Sequence, residues 1–275
     1  MIELPEARTI AKDLSNTILN KRIIDVRGNF EGHKFTFYYK DPYAYKEQLI
    51  NKRITKIIPR NFYVEVVIED YKLLMRDGAV IRYYNKSEEE PKKSKLLLEF
   101  EDGSYLTITT AMYSCIMVLP KDEDMGNLYY QIERQGISPL DSAFTYHYFQ
   151  QLITPTTQKL SVKAFIATEQ RILGIGNGTS QDIMFNALLH PKRKINTLDS
   201  NDLQALYHAI VTTLTNMVTQ NGRDTETRIN GQKGSYKTIL SKNTYKSPCI
   251  VCHGVLKKEQ YLGGSIYYCP SCQKI

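Results

Sequence analysis

The chain has no apolar run approaching the eighteen or so residues that a membrane-spanning helix needs. Its opening, Met1-Ile2-Glu3-Leu4-Pro5-Glu6, has neither the basic flank nor the apolar stretch of an export signal. No internal repeat is visible, which removes solenoid and propeller architectures. Cysteine is scarce, at five residues in 275, too few for a disulfide-dense scaffold. Acidic residues almost vanish from the last 46 positions, where Glu259 is the only one. These absences lead to the expectation of a soluble, cytoplasmic monomer without a membrane partner, nucleoid-associated if the source is bacterial.

What is present is unevenly placed. The formal charge is +7, and from Asn230 to Ile275 seven lysines face one acid, so a net +6 sits in that segment. Clustered cations suit a polyanion, because binding releases the counterions condensed around it; a merely solvated tail is the plainer alternative. Four of the five cysteines form two CxxC pairs, Cys249/Cys252 and Cys269/Cys272, with sixteen residues between them. Two such turns bring four thiolates to one closed tetrahedral site, so one structural Zn2+ is expected there. Two disulfides are the competing pattern and would be unusual without an export signal. A zinc site inside a basic segment favours nucleic acid as the partner. Cys115, in an apolar stretch, reads as a buried hydrophobe.

The pattern along the chain predicts three parts of an α+β protein. Residues 3–20 read as a helix, with Leu4, Ala7, Ala11, Leu14 and Ile18 at three- and four-residue intervals and Pro5 in the first turn. From Arg22 to about Leu119, β-branched and aromatic segments at 35–39, 63–68, 79–84 and 96–100 predict strands. Glu69-Asp70, Asp77-Gly78 and Asp102-Gly103 are expected turns, and the whole suggests a β-sandwich. Residues 86–94 read as a solvated loop and 121–124 as a charged linker. Helices are then expected over 142–152, 158–171, 179–188 and 200–220, the last with an apolar stripe of Leu203, Leu206, Ile210, Leu214 and Met217. The expected divisions are 1–122, 123–240 and 241–275.

Gly174-Ile175-Gly176-Asn177-Gly178-Thr179 lies between two of these helices. Its glycines permit close approach of a ligand, and the helix that follows offers its first N–H groups to a phosphate. A tight helix–helix turn explains the same residues. A dinucleotide fingerprint is excluded, because a helix rather than a strand precedes the turn.

Taken in order, these parts resemble the Fpg/Nei family of DNA glycosylases over the whole chain. The most specific pieces are QGISPLD at 135–141, KAF at 163–165, QRILGIGN at 170–177, His190-Pro191 and YCPSCQ at 268–273. The resemblance implies a helix–two-turn–helix module, double-stranded DNA with a damaged or distorted site as partner, and base-excision-repair chemistry on a flipped nucleotide. It implies phosphate contacts at Lys163, Gly176, Asn177 and Arg60, and it aligns Glu3 and Glu6 with the family's catalytic carboxylates. Both glutamates equally suit the positive end of a helix.

Five positions depart from the family pattern. Ile2 stands at the nucleophilic proline, and an internal amide nitrogen is no nucleophile because its lone pair is delocalised into the carbonyl. Phe62 stands at the hairpin lysine. Met112 and Ser114 stand at the residues that fill the space left by the flipped base, and Gly264 at the finger arginine. Three functions stay open: a glycosylase or abasic-site lyase using another amine, a non-catalytic binder of damaged or distorted DNA, and a zinc ribbon that contacts protein.

Overall fold

The structure, a computed structural model, describes residues 1–30, 35–89, 93–123 and 128–275. Among the described residues, no helix is long and apolar enough to cross a membrane. The chain forms two compact units, one of residues 1–131 with 226–234 and the other of 132–225 with 235–275.

In the first unit, α1 (Leu4–Thr17) starts with Pro5 in its first turn and buries Leu4, Ala7, Ile10, Ala11 and Leu14. These positions repeat at helical spacing, which gives the helix one apolar face. Strands follow as β1 (Ile23–Arg27), β2 (Thr36–Tyr38), β3 (Ile54–Pro59), β4 (Tyr63–Ile68), β5 (Tyr71–Tyr84), β6 (Leu96–Phe100) and β7 (Tyr105–Pro120), with the short helix α2 (Tyr45–Leu49) between β2 and β3. They make one sheet in the order β1-β6-β7-β5-β4-β3, with β2 parallel to β7. The long strands β5 and β7 belong to both halves. β6 pairs with β7 over residues 105–108, whereas β4 pairs with β5 over 71–76. Alternate residues of both halves (Val64, Val66, Leu73, Met75, Leu96, Leu98, Leu106 and Ile108) enter one core with α1, as a sandwich requires.

The expected turn at Asp77-Gly78 is a correction. Both residues lie inside β5, where Asp77 has φ 60° and the pairing with β7 slips between Asp77 and Ala79. A dipeptide that tolerates positive φ serves a β-bulge as well as a hairpin, and a bulge bends the strand between the two halves. The other two expected turns are present, with positive φ at Glu69 and Gly103. The loop expected over 86–94 and the linker over 121–124 fall partly outside the described residues.

Segment 226–234 does not follow the boundary expected at 123–240. Ile229 is buried in the core of the first unit, and its carbonyl accepts the N–H of Tyr83 at 2.9 Å. Arg228 grips Asp13 of α1 through two hydrogen bonds of 3.0 and 2.5 Å, and Arg82 donates to the Arg228 carbonyl at 2.8 Å.

The second unit holds the second half of α3 (Leu128–Gln135), α4 (Tyr146–Gln151), α5 (Val162–Ala167), α6 (Asn177–Asn186), α7 (Ser200–Thr219) and the hairpin β8 (Lys257–Tyr261) with β9 (Gly264–Tyr268). The predicted helix over 158–171 shrinks to α5, after a single turn at Thr157–Lys159. The stripe on α7 is core, with Leu206, Ile210 and Leu214 packed among Phe149, Phe165 and Ile183. The Arg228–Asp13 pair gives a direct test. Arg228→Ala leaves a largely buried carboxylate unpaired, and we expect a loss of about 2–4 kcal/mol in urea unfolding of the first unit. Asp13→Asn in the same background should recover part of that loss.

Candidate functional site

Helix α5 begins where the Ser161 hydroxyl accepts the N–H of Ala164 at 3.2 Å. It stops at Ala167 because Glu169 and Gln170 take φ of 59° and 51°, outside the right-handed helical region. The Gln170 side chain then accepts the N–H of Gly174 at 2.8 Å, and Gly174 itself has φ 73°, where the absence of a Cβ removes the strain. Two successive turns deliver the chain to Gly176, the buried cap residue of α6, whose N–H donates to Thr179 Oγ1 at 3.3 Å. Asn177 follows, exposed, at the first position of α6.

The β8–β9 hairpin meets this helix start edge-on. Asn177 Nδ2 donates to the Ser265 carbonyl at 3.2 Å, and Gln181 Nε2 donates to the same oxygen at 3.0 Å. Gln181 Oε1 accepts the N–H of Tyr267 at 3.0 Å, and Lys163 Nζ donates to the Tyr261 carbonyl at 2.7 Å. The approach is close at Gly264, where an added Cβ would lie 2.9 Å from Asn177 Oδ1 and would require the Asn177 amide to move. Lys163 is only 3% exposed, and burial pushes its ammonium below the ordinary lysine value. Asp182, one turn into α6, accepts the N–H groups of Ile239 and Leu240 at 2.9 and 2.8 Å. Burial pushes its carboxyl up to about 6 while those two donors act in the opposite direction.

Beside Asn177 opens a cavity of about 260 Å³ lined by Gly178, Gln181, Arg223, Lys242 and Tyr267. The Arg223 guanidinium lies against the start of α6, where a Cβ on Gly178 would fall 1.8 Å from its Nη1. A guanidinium and the positive end of a helix dipole thus share one small space, an arrangement that favours an anion. Sequence reasoning missed Gln181 and Arg223 and had Lys242 only as one of the seven lysines of the basic segment. Gln181 had a signal, its four-residue spacing from Asn177; Arg223 comes from a segment whose position is set by folding.

The cysteine pairs converge as their spacing predicts. The four sulfurs of Cys249, Cys252, Cys269 and Cys272 lie within 4.8 Å of one another, and all four thiols are free of disulfides. The separations are 3.8 Å for Cys249–Cys272 and 3.4 Å for Cys252–Cys269. Sulfurs bound at about 2.3 Å in a tetrahedron stand about 3.8 Å apart, so the cluster suits one metal ion.

Comparison with known proteins agrees with this architecture. Residues 135–229 match the model of the formamidopyrimidine-DNA glycosylase H2TH domain. The chain is 28% identical to a formamidopyrimidine-DNA glycosylase of Bacillus cereus, covering 99% of both chains, and 27% identical to one of Desulfitobacterium hafniense, covering 99% of this chain and all of that one. Lactococcus lactis Fpg, solved with DNA containing an abasic site, superposes with a TM-score of 0.84 at 20% identity, over 99% of this chain and all of that one. This chain belongs to the Fpg/Nei family.

The positions that the Fpg/Nei pattern singles out in the first unit are placed as follows. Ile2 is 1% exposed and part of the hydrophobic core, while Met1 is 45% exposed. Glu3 is buried at the cap of α1 but makes no side-chain cap hydrogen bond, and Glu6 lies in the first turn. Arg60 pairs with the buried Glu65 at 3.0 Å. Phe62, 2% exposed, packs edge-on against Tyr63 and lines a small apolar cavity with Leu74, Met117 and Tyr130. Met112 is 75% exposed, whereas Ser114 is fully buried. Burial pushes the Cys115 thiol up to about 11, so it stays protonated and inert near neutral pH.

Proposed function

We propose that this protein binds double-stranded DNA at a damaged or distorted site and that its second unit grips the backbone through a phosphate held beside Asn177. The observation that carries this reading is the polar cavity at the start of α6. Asn177 lies at its edge, Arg223 and Lys242 supply cations, and the helix dipole adds to their field. The end-to-end similarity to formamidopyrimidine-DNA glycosylases supports DNA repair as its setting. Lys163 and Gly176 support the same site indirectly in this reading, by holding the hairpin and the cap of α6 rather than by touching phosphate.

The chemistry is proposed to differ from that of a proline-nucleophile glycosylase. The nitrogen of residue 2 is an amide, and its side chain is locked in the core. Phe62 contributes apolar packing where a cation would be needed, and Arg60 is held by Glu65. Recognition without strand cleavage is therefore the favoured reading. A lyase reaction through the Met1 amine, with Glu3 and Glu6 as carboxylates, is the second reading, favoured by the exposure of Met1.

We also infer that the cysteine cluster holds one zinc ion. Four sulfur donors at tetrahedral spacing fit Zn2+, which as a closed structural site supplies folding energy to the finger and takes no part in a reaction.

Three measurements test these proposals. Incubation with an abasic duplex and borohydride should give retention without a covalent adduct; an adduct that disappears when the N-terminal amine is blocked would establish the lyase reading instead. Asn177→Ala should weaken binding to the abasic duplex by about tenfold, the value of one charge-assisted contact, and unchanged affinity would remove Asn177 from the phosphate site. Metal analysis should find one zinc per chain, and chelation should unfold the finger cooperatively, lowering the thermal midpoint of the second unit.

A further inference from the structure

The cysteine-bearing end of the finger presents a surface that the phosphate site does not use. The hairpin's polar contacts with α6 are made from β9, through the Ser265 carbonyl and the Tyr267 N–H. Toward the cysteine turns lies a second cavity, of about 350 Å³, which adjoins the first and shares Thr238 and Leu240 with it. Phe185, Leu240, Pro248, Ile250 and Leu256 line it, with Lys237 at its edge. This volume is in the range of pockets that hold a ligand group. Next to it the cysteine turns expose aliphatic side chains: Ile250 is 65% exposed, Val251 59% and Val255 82%. Such a patch on a soluble surface marks an interaction site more often than chance exposure.

Charge decides which occupant fits. Lys237 borders the cavity with its ammonium 3.9 Å from Asp224, Lys246 and Lys257 neighbour lining residues in sequence, and all three lysines are exposed. The one acid of this segment, Glu259, is already engaged by Lys192 and by the Tyr268 hydroxyl. An incoming group must therefore carry negative charge to match the lysines and an apolar side chain to fill the cavity. A DNA backbone meets the first demand only, since a hydrated phosphate gains nothing from an aliphatic wall. Nor do Ile250, Val251 and Val255 offer the flat aromatic faces on which bases stack. We infer that this end of the finger docks an acidic peptide segment of a partner protein, with one or two bulky apolar residues seated in the cavity and flanking carboxylates on the lysines.

Fluorescence anisotropy on the full chain tests this, with a labelled peptide carrying a Leu-Phe pair among aspartates as the probe. Saturable binding that weakens with added salt is expected. It should fall at least about tenfold when the Leu-Phe pair becomes Ser-Ser, when the aspartates become asparagines, and when the protein carries Ile250→Ser with Val255→Ser. The double variant alters only exposed side chains, so its thermal unfolding and its retention of an abasic duplex should match those of the parent. The proposal is overturned if the peptide does not bind saturably or if the double variant binds it as well as the parent does. It is equally overturned if that variant loses the duplex along with the peptide, since the surface would then serve DNA.

Discussion

One carbonyl oxygen, that of Ser265, organises the second unit. It accepts from Asn177 and Gln181 together, so the hairpin strand lies against the first turn of α6. A Cβ at residue 264 would press on the Asn177 amide and displace it from this bond. The remaining contacts follow from it: Lys163 reaches Tyr261, the Tyr267 N–H finds Gln181, and Asp182 collects two N–H groups from the segment leading to the finger. A buried carboxylate and a buried ammonium are tolerated only because these partners stand in for water.

In the first unit the comparable constraint is the bulge between Asp77 and Ala79. Two long strands, β5 and β7, run through both halves of the sheet, and the slip in their pairing lets one sheet wrap a single core. Helix α1 closes that core and carries Ile2 into it. Burial of Ile2 ties the N-terminal residues to packing, which is why the proposed chemistry turns on the Met1 amine or on none. Segment 226–234 completes the same unit through Ile229 and Arg228, so a division at 122/123 separates residues that pack together.

The finger divides its roles between strand and turns. Strand β9 is committed to α6 through Ser265 and Tyr267, whereas the cysteine turns expose aliphatic side chains beside lysines. Seven lysines against one acid were visible as a basic segment, but charge count alone does not separate a DNA surface from a peptide surface. The aliphatic cavity beside the lysines makes that distinction.

Several features were determined by sequence alone because their physics is local. CxxC spacing brings two thiolates to one ion, helical periodicity defined α1 and α7, and the glycines of 174–178 marked a turn between helices. The ordered motifs were likewise sufficient to indicate the Fpg/Nei family. Other features depended on contacts between distant residues, which no window of sequence contains. Asp77-Gly78 became a bulge rather than a turn because β7 continues alongside it. Helix α5 ended early because Glu169 and Gln170 are held in turns by side-chain bonding further on. Lys242 came to line the cavity beside Asn177, and Lys237 the one beside Phe185, on a segment held by Asp182, while Arg223 was placed by the backbone bonds of Gly222 and Asp224 with Tyr236. Local spacing decided which elements exist; burial and hydrogen-bond satisfaction across long separations decided which residues share a site.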